Sequence, residues 1–402
     1  MALMPVAEAY AAVLKGAAAL PEETVALTDA HHRTLARDIA ALRTQPPAAM
    51  SAMDGYAVRA ADATVGARLK IIGEVAAGRP FHQTVGAGQA ARIFTGGVVP
   101  DGADTIVIQE DTTRDGDIVI VNEAIAEGKN IRNAGIDFNE GDVLLPRGTR
   151  LNDRALALAA GMNHPQLPVH RRPRIAILAT GDELVAPGVA PAPGQIVYSN
   201  VFSLGALVRS ESAEVIDLGV ARDTLESTTD GIRRARESGA DVLVTTGGAS
   251  VGDHDLVQTA LKAEGVDMAF WKIALRPGKP MMHGRLGSMR VLGLPGNPVS
   301  SYVCAFLFLV PLIRALSGRS VVDHVLEQAV LGRDMPANDQ RQDYLRARLE
   351  NGESSIPVAT TVGPQDSSLV ANLAAANALI VRPPFAPAAP AGSPCTILRL
   401  PN

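Results

Sequence analysis

Between residues 172 and 318 the hydrophobic residues form short continuous runs that alternate with longer segments of helical length. The runs are RIAILAT, AEVIDLGVA, DVLVTTGG and VLGLPG. A strand that is buried on both faces has this continuous apolar pattern. The intervening segments predict helices from about Ser199 to Ser212, from about Asp223 to Glu237 and from Pro298. Alternating strands and helices predict an α/β domain with a doubly wound parallel sheet.

The pattern changes on both sides of this α/β domain, and we predict four domains. Residues 43–139 contain short β-like runs separated by Gly and Pro turns, which predicts a small inserted β-rich domain. Residues 319–402 return to such runs and predict a small C-terminal β-barrel or sandwich. Residues 1–42 and 140–171 are predicted to form one N-terminal helical linker domain that the insertion interrupts. The remaining segment, 172–318, is the α/β domain.

Two segments are apolar enough to raise the question of a membrane. The N-terminal twenty residues lack a basic leading region and are interrupted by Glu8 and Lys15, so we predict an amphipathic helix instead of a signal peptide. The segment from Val299 to Leu316 contains Pro311 and Arg314 and follows a strand and turn. We predict that it is a buried helix and does not span a membrane.

The composition narrows the class of protein. Hydrophobic residues make up 47% of the 402 residues, which is enough for more than one packed core, and the net charge is −5. This charge argues against a nucleic-acid-binding protein, which usually shows a basic surplus. The two cysteines, Cys304 and Cys395, exclude a disulfide scaffold and a zinc site built on several thiolates. We therefore expect a cytoplasmic protein in a reducing environment.

Three of the predicted strands run into glycine-containing turns. The turns are LATGDELV at 178–185, VTTGGASVGDHD at 244–255 and LGLPGNPVSS at 292–301. In an open parallel sheet the strand ends form the ligand crevice, and glycine lets a ligand approach the backbone. Helix N-termini beside such turns favour phosphate or another oxyanion. The sequence therefore predicts a site for an anionic, phosphate-bearing ligand.

The third turn and the loop before it carry the strongest local signals. Asn297 stands at an N-cap position, Pro298 at the first helical position, and Ser300 and Ser301 in the first turn. Taken alone, this pattern favours an ordinary capped helix. The preceding loop, WKIALRPGKP, places three cations within eight positions, which suits phosphate binding, although a solvated basic loop is the alternative; the cations are Lys272, Arg276 and Lys279.

Acidic residues in turn-like settings are candidates for a magnesium site, because Mg²⁺ prefers oxygen ligands and accompanies phosphate groups. Asp182 and Glu183 follow a strand end and can reach the crevice, whereas Asp223 has the alternative role of a helix N-cap. No Walker loop, GxGxxG after a strand or GxSxG elbow occurs. The candidate acids are Asp54, Asp137, Asp142, Asp182, Glu183, Asp223, Asp253 and Asp255.

Seven ordered motifs resemble the MoeA family, the molybdopterin molybdenumtransferases of molybdenum cofactor synthesis. They are SAMDGYAV (51–58), RIFTGGVVPDGADTIVIQED (92–111), NIRNAGIDFNEGDVLL (130–145), ATGDELV (179–185), TTGGASVGDHD (245–255), WKIALRPGKP (271–280) and LGLPGNPVS (292–300). The resemblance implies an elongated four-domain homodimer whose α/β domain has the molybdopterin-adenylyltransferase fold. It also implies insertion of molybdate into adenylylated molybdopterin, with release of AMP and a requirement for a divalent cation such as Mg²⁺.

The resemblance also implies roles for particular residues. The catalytic set would be Asp54, Asp137, Glu183, Asp223 and Asp255, and the metal set Glu183, Asp223, Asp253 and Asp255. Asp54, Thr95 and Asp137 would face the pocket from the partner subunit. The residues that bind substrate or molybdate would be Thr95, Lys272, Arg276, Lys279, Pro295, Asn297, Pro298, Ser300, Arg346 and Ser367.

Two departures from the family pattern bear on these roles. Arg276 stands where lysine is also common, and Asp366 precedes Ser367 where the family often has glycine. An acid at this position would repel an oxyanion unless it points away or pairs with Arg346. The alternatives are an adenylyltransferase or nucleotide pyrophosphatase relative that shares only the α/β domain, and a non-enzymatic scaffold. A molybdopterin adenylyltransferase and downstream maturation factors are expected partners; nucleic acid and membrane are not.

Overall fold

The computed structural model describes residues 3–79, 81–247, 256–351 and 356–401. Within these ranges the chain forms three six-stranded sheets, several two-stranded pairs and eight α-helices. The predicted Asp253 and Asp255 lie outside the described residues.

The central sheet has four neighbouring parallel strands, as predicted, and two antiparallel strands at one edge. The parallel strands pair in the order Glu214–Ala221, Arg174–Thr180, Val242–Thr246 and Met289–Leu294. Met282–Leu286 then pairs antiparallel with Met289–Leu294, and Asp267–Phe270 completes the edge. The two antiparallel strands were not predicted, because short strands at the edge of a sheet lack the continuous apolar run that marks a central strand.

Successive residues of a strand point to opposite faces of the sheet. Apolar residues therefore lie on both faces of this sheet, and helices cover both. Ile175 and Ile177 belong to one core, and Ala176 and Leu178 to the other. The first core is closed by Asn200–Ser210 and the helical segment from Pro298, and the second by Leu225–Glu237 and Leu256–Ala263. The first core also receives Ala9 and Val13 of the N-terminal helix Val6–Leu14.

The apolar helical segment near residue 300 lies in this core. It consists of Pro298–Cys304, a π-helical turn at Ala305–Leu309 and Val310–Leu316. The π turn ends two residues before Pro311, whose missing N–H and ring are incompatible with the regular bond to the residue four positions earlier. Among the described residues, only Pro298–Leu316 is long and apolar enough to cross a membrane, and 83% of its most apolar window is buried in this protein.

The inserted β-rich segment and the linker each have their own core. The strands of the sheet in the insertion pair in the order Thr105–Ile108, Gly55–Val58, Gln89–Ile93, Arg68–Val75, Ile118–Val121 and Thr112–Asp115. A separate two-stranded pair joins Met50–Ser51 to Ile131–Arg132. The linker is built from segments that precede and follow the insertion in the sequence. Glu22–Ala26 pairs with Gln166–His170, and Ile39–Ala40 pairs with Val143–Leu145. The helix Asp153–Gly161 completes the linker.

The C-terminal sheet closes into a small barrel. Its strands pair in the order Gln342–Glu350, Val358–Thr361, Leu326–Leu331, Pro394–Arg399 and Ala378–Arg382, and the last pairs again with the first. Leu275–Arg276, which leaves the α/β core, adds parallel to Gln342–Glu350. The helix Val370–Ala374 completes this part. The predicted fold class is confirmed, whereas the predicted limits between domains stay predictions.

Candidate functional site

The carboxyl ends of three parallel strands meet at one edge of the central sheet. The register pairs Ala179 with Thr246, and Thr246 with Leu294, so the three glycine-containing turns begin side by side. The Thr180 hydroxyl donates to the carbonyl of Thr246 at 3.5 Å. The Gly247 amide donates to the carbonyl of Leu294 at 3.3 Å. This is the arrangement in which parallel α/β sheets bind ligands.

Two glycines allow close packing against their backbone at this edge of the sheet. Gly247 has a φ of 94°, and a Cβ there would lie 2.5 Å from the carbonyl oxygen of Thr180. Gly181 has a φ of 143°, and a Cβ there would lie 2.5 Å from the Glu183 carboxylate. A side chain at either position would therefore meet both an unfavourable backbone conformation and a clash. The same contact shows that the Glu183 carboxylate folds back over the turn that follows the first strand.

Asp182 and Asp223 bind each other's backbone across two neighbouring strand ends. The Asp182 amide donates to the Asp223 carboxylate at 3.3 Å, and the Asp223 amide donates to the Asp182 carboxylate at 3.2 Å. The N-cap of helix Leu225–Glu237 is Thr224, whose hydroxyl accepts from the Ser227 amide. Asp223 is therefore not the cap, and the alternative role considered for it from the sequence is removed.

These contacts bring three exposed acidic residues, Asp182, Glu183 and Asp223, to one side of the crevice. Carboxylate oxygens are suitable ligands for Mg²⁺. Over the described ranges, however, no three His, Cys, Asp or Glu side chains converge as a ready metal site. The donor type fits a magnesium ion, and the metal role of Glu183 and Asp223 stays a prediction.

The turn after the third strand is held from two sides. Asn200 donates from its side-chain amide to the Gly296 carbonyl at 2.8 Å. Asn297 has the extended backbone of an N-cap, but its side chain makes no capping bond and donates to the Ser367 hydroxyl at 2.8 Å. The Val299 amide donates to the Ser367 carbonyl at 3.1 Å. The ordinary capped-helix alternative is therefore wrong for the Asn297 side chain, which joins the helix to the C-terminal barrel.

The predicted serines of this helix face inward. Ser300 is 5% exposed and Ser301 is 1% exposed, and the Ser301 hydroxyl has no hydrogen-bond partner in the described protein. Pro298 occupies the first turn, as predicted. The burial of Ser300 leaves little of its hydroxyl available to a ligand in this conformation, so its predicted role stays untested.

The cationic loop, residues 271–280, lies against the helix Pro298–Cys304. Gly278 has a φ of 124°, and a Cβ there would collide with the Sγ atom of Cys304. The loop that carries Lys272 and Lys279 therefore packs directly on the helix that begins at Pro298. Lys279 is exposed and Lys272 is half-buried. No described residue offers either ammonium group a hydrogen bond or an ion pair, which leaves both charges available to an anion.

Arg276 differs from the two lysines because its charge is already compensated. Its guanidinium pairs with Asp343 and Asp339 and donates to the Asn338 side chain at 2.9 Å. A hydrogen bond from the Arg341 side chain, helped by the charge of Arg276, lowers the pKa of Asp339 to about 2, so Asp339 is ionised at neutral pH. The contacts direct Arg276 to the barrel and do not support its predicted role as an oxyanion ligand.

The Arg346 side chain donates hydrogen bonds to backbone carbonyls of the protein in this structure. The side chain is 0% exposed and donates to the carbonyls of Pro364 and Asp366 at 3.1 and 2.9 Å. The Asp366 carboxylate turns to Ser368, accepting from its amide and its hydroxyl, and these bonds lower the pKa of Asp366. Arg346 therefore braces the loop that presents Ser367 to Asn297, and the acid expected to repel an oxyanion is held by its own loop.

Asp54 and Thr95 form a pair of their own in the inserted β-rich segment. The Asp54 carboxylate accepts from the Thr95 amide at 2.7 Å and from its hydroxyl at 2.8 Å. These bonds, the one from the backbone amide first, lower the pKa of Asp54. Asp137 is exposed, and its amide donates to the Gln45 carbonyl at 3.1 Å. No hydrogen bond or ion pair within the described ranges joins residues 43–139 to the central sheet.

The structure thus adds one residue that the sequence patterns did not single out, Asn200, and shows how two of the predicted acids are held. Asn200 and the reciprocal bonding of Asp182 with Asp223 shape the crevice. Fold and site together define a multi-domain α/β protein whose candidate ligand crevice lies at the carboxyl ends of its parallel strands, beside exposed acidic residues. The loop with two unpaired lysines packs on the helix that follows the third turn.

Comparison with known proteins places the chain within this class. Residues 4–162 match the MoeA N-terminal region (domains I and II), residues 176–315 a probable molybdopterin-binding domain, and residues 328–400 the MoeA C-terminal region (domain IV). The chain belongs to the MoeA family, as the sequence motifs predicted.

Individual relatives agree with this assignment over nearly the whole chain. The molybdopterin molybdenumtransferases of Nostoc sp. and Haemophilus influenzae are each 35% identical to it, covering 94% and 89% of this chain and 89% of each relative. The crystal structure of the molybdopterin biosynthesis MoeA protein from Pyrococcus horikoshii superimposes with a TM-score of 0.84 at 30% identity, covering 100% of both chains.

Proposed function

We propose that this protein inserts molybdate into adenylylated molybdopterin and releases AMP, forming molybdenum cofactor in the cytoplasm. The observation that carries the proposal is that three strand ends meet at one edge of the sheet, and that the loop bearing Lys272 and Lys279 packs on the helix that follows the third of them. A dianionic oxyanion and a phosphate-bearing pterin need cations and N–H donors, and this edge of the sheet supplies both.

The residue types suit a substrate that brings its own sulfur ligands. Over the described residues the site contains no thiolate, since Cys304 is fully buried beneath the cationic loop and burial raises the pKa of its thiol. The metal is therefore cargo that the pterin dithiolene receives, and the protein's task is to hold the oxyanion beside it. Unpaired ammonium groups at the crevice attract the dianion and orient it without forming a lasting bond.

The exposed carboxylates would act at the other end of the substrate. Glu183 and Asp223 are the described residues that would hold a divalent cation, which when bound would neutralise charge on the leaving phosphate. In this proposal the lysines hold the oxyanion and the acids hold the cation, so the substrate lies between groups of opposite charge.

We infer further that the active unit is a homodimer. Asp54 and Thr95 lie in turns beside the strands Gly55–Val58 and Gln89–Ile93, with no described bond to the crevice of their own chain. Asp54 is half-buried, and the hydrogen bonds from Thr95 lower its pKa, so its carboxylate is ionised at neutral pH. A partner subunit that brings Asp54 and Thr95 to the crevice would complete the set of site residues implied by the sequence motifs.

The alternative of a relative that shares only the α/β domain is disfavoured. The matches to the MoeA N-terminal and C-terminal regions cover the linker, the insertion and the barrel, which such a relative lacks.

Release of AMP tests the proposal directly. Purified protein is incubated with adenylylated molybdopterin and Mg²⁺, with molybdate or tungstate, and AMP is measured by chromatography. We expect molybdate-dependent AMP release, and a loss of about 100-fold or more in Lys279→Ala, the range seen when one preorganised electrostatic contact is removed. Lys262→Ala, which removes an exposed lysine from the end of helix Leu256–Ala263, is the matched control. AMP at background level with either oxyanion would refute the activity.

A further inference from the structure

A cavity lined mainly by charged and polar side chains lies away from the strand-end crevice. It has a volume of 420 Å³ and is bounded by the loop before helix Asp153–Gly161, the end of helix Val310–Leu316 and the edge of the C-terminal barrel. Four guanidinium groups line it, those of Arg150, Arg314, Arg319 and Arg399. None of these residues belongs to the site described above.

Two of the four guanidinium groups, those of Arg314 and Arg319, share a single carboxylate, that of Glu211. Arg314 and Arg319 bind its two oxygens at 2.9 and 2.5 Å. Arg150 has no carboxylate partner among the described residues and donates instead to the Ser210 carbonyl at 2.7 Å. This corner of the cavity therefore carries more positive charge than the protein compensates.

The other charged groups of the lining do not remove this surplus. Glu327 is paired with Arg399 at 2.8 Å. Asp323 accepts a hydrogen bond from the Tyr10 hydroxyl and offsets part of the excess. His324 is bonded to the Phe306 carbonyl at 2.6 Å, and burial lowers its pKa, so it is neutral at pH 7. One net positive charge remains in the cavity.

Buried donors point to an anion in the same place. The Nε atoms of Arg150 and Arg319 are buried and have no hydrogen-bond partner in the described protein. The whole Arg319 side chain is only 8% exposed. Buried polar groups without a partner are rare in folded proteins. Burial lowers the pKa of Arg319 to about 10, and the charge of Arg150 adds to this effect while that of Glu211 opposes it. An anion would relieve both the missing bonds and the repulsion.

We propose that this cavity binds a tetrahedral oxyanion of the phosphate class, free or as the terminal group of a small phosphate ester. Planar guanidinium groups bind such an oxyanion through paired N–H donors. The Ser320 hydroxyl also lines the cavity. The volume lies within the range of about 300–1,000 Å³ typical of small-molecule sites, which leaves room for an ester. A bound anion would connect the linker, the α/β domain and the barrel.

The test separates this cavity from the strand-end crevice. All titrations use the Lys279→Ala protein, so that the crevice contributes little, and chloride keeps the ionic strength constant. Inorganic phosphate and glycerol 1-phosphate are titrated by calorimetry into this protein and into the same protein carrying Arg150→Gln. We expect saturable binding of one anion per chain that weakens at least tenfold when Arg150 is replaced.

The controls decide what the result means. Arg68→Gln removes an exposed arginine paired with Asp115 elsewhere and should leave binding unchanged. Tighter binding of the ester identifies a phosphorylated small molecule as the occupant, and equal binding identifies the free oxyanion. The absence of saturable binding, or equal affinity in the Arg150→Gln and Arg68→Gln proteins, overturns the proposal. If Arg150→Gln fails to fold, wild-type crystals soaked in selenate must show an anomalous peak beside Arg150 and Arg319.

Discussion

Asn297 donates a hydrogen bond to the Ser367 hydroxyl at 2.8 Å, and this bond joins the first turn of the helix at Pro298 to the C-terminal barrel. The Val299 amide reinforces the contact by donating to the Ser367 carbonyl. Two segments 70 positions apart in the sequence thereby share one border of the crevice. The arrangement of the barrel is therefore part of the proposed site.

The Asn297 and Ser367 side chains are predicted to act as a unit. Asn297→Ala and Ser367→Ala should each lower kcat/KM for AMP release, and the double variant should lose less than the product of the two single losses. A coupling of about 1 kcal/mol is expected, because that is the usual net contribution of one hydrogen bond. Ser368→Ala, whose hydroxyl bonds to Asp366 instead, should show no coupling with Asn297→Ala. Strictly multiplicative losses for the first pair would contradict the prediction.

Close backbone packing at the strand ends makes Gly247 intolerant of any side chain. Gly247→Ala combines a φ of 94° with a Cβ 2.5 Å from the Thr180 carbonyl oxygen. We expect a loss of roughly 2–4 kcal/mol in the free energy of unfolding, from left-handed backbone strain plus overpacking, together with reduced AMP release. Gly66→Ala is the matched control, since its φ is 82° but no heavy atom lies within 4 Å. Denaturant unfolding of both variants should show the larger loss for Gly247→Ala, and equal losses would argue against close approach as the cause.

Glu211 is predicted to make the stability depend on pH. Burial tends to raise the pKa of its carboxyl, but the hydrogen bonds and charges of Arg314 and Arg319 outweigh burial and lower it below the ordinary value of 4.5. The ionised form is thus favoured by folding. Its contribution is fully present above the unfolded pKa and is lost as the pH falls through the lower folded value. Thermal unfolding between pH 7 and pH 3 measures this loss.

Replacement of Glu211 tests the same point at neutral pH. Glu211→Gln leaves two largely buried guanidinium groups without a counter-charge, and we expect a loss of about 3–5 kcal/mol in the free energy of unfolding. The variant should also lose part of the wild-type pH dependence below pH 4.5. Glu327→Gln breaks the more exposed pair with Arg399 and should cost about 1 kcal/mol or less. Similar stabilities of the two variants would show that the Glu211 cluster is not a buried ion-pair network.

A site shared between subunits predicts complementation. Asp54→Ala and Lys279→Ala should each abolish most AMP release as homodimers. Co-expression of the two chains should restore about a quarter of wild-type activity, because half of the dimers are mixed and each mixed dimer has one intact site. Co-expression of Lys279→Ala with Lys272→Ala, both from the same loop, is the control that should give no rescue. If the first mixture is as inactive as its components, Asp54 does not act across the dimer.

Much of the α/β domain and of its crevice was predictable because local patterns encode it. The continuous apolar run RIAILAT marks a strand buried on both faces, and parallel strands necessarily end at the same edge of a sheet. These two facts alone bring the turns after Thr180, Thr246 and Leu294 together. The sequence also determined the family, since its seven motifs occur in order, and the small C-terminal barrel, whose short β-like runs are separated by Pro and Gly.

Only the tertiary structure decided which charged groups remain free. Lys279 and Arg276 are indistinguishable as cations in the sequence, yet Arg276 is neutralised by Asp339 and Asp343 and Lys279 is not. Arg346, in contrast, is fully buried without a carboxylate partner among the described residues and donates to the Asp366 carbonyl in the loop that carries Ser367. The carboxylates that pair with Arg276 lie 63 and 67 positions away in the sequence. Hydrophobic periodicity is set by neighbouring residues, whereas the pairing of charges depends on how the barrel and the α/β domain dock.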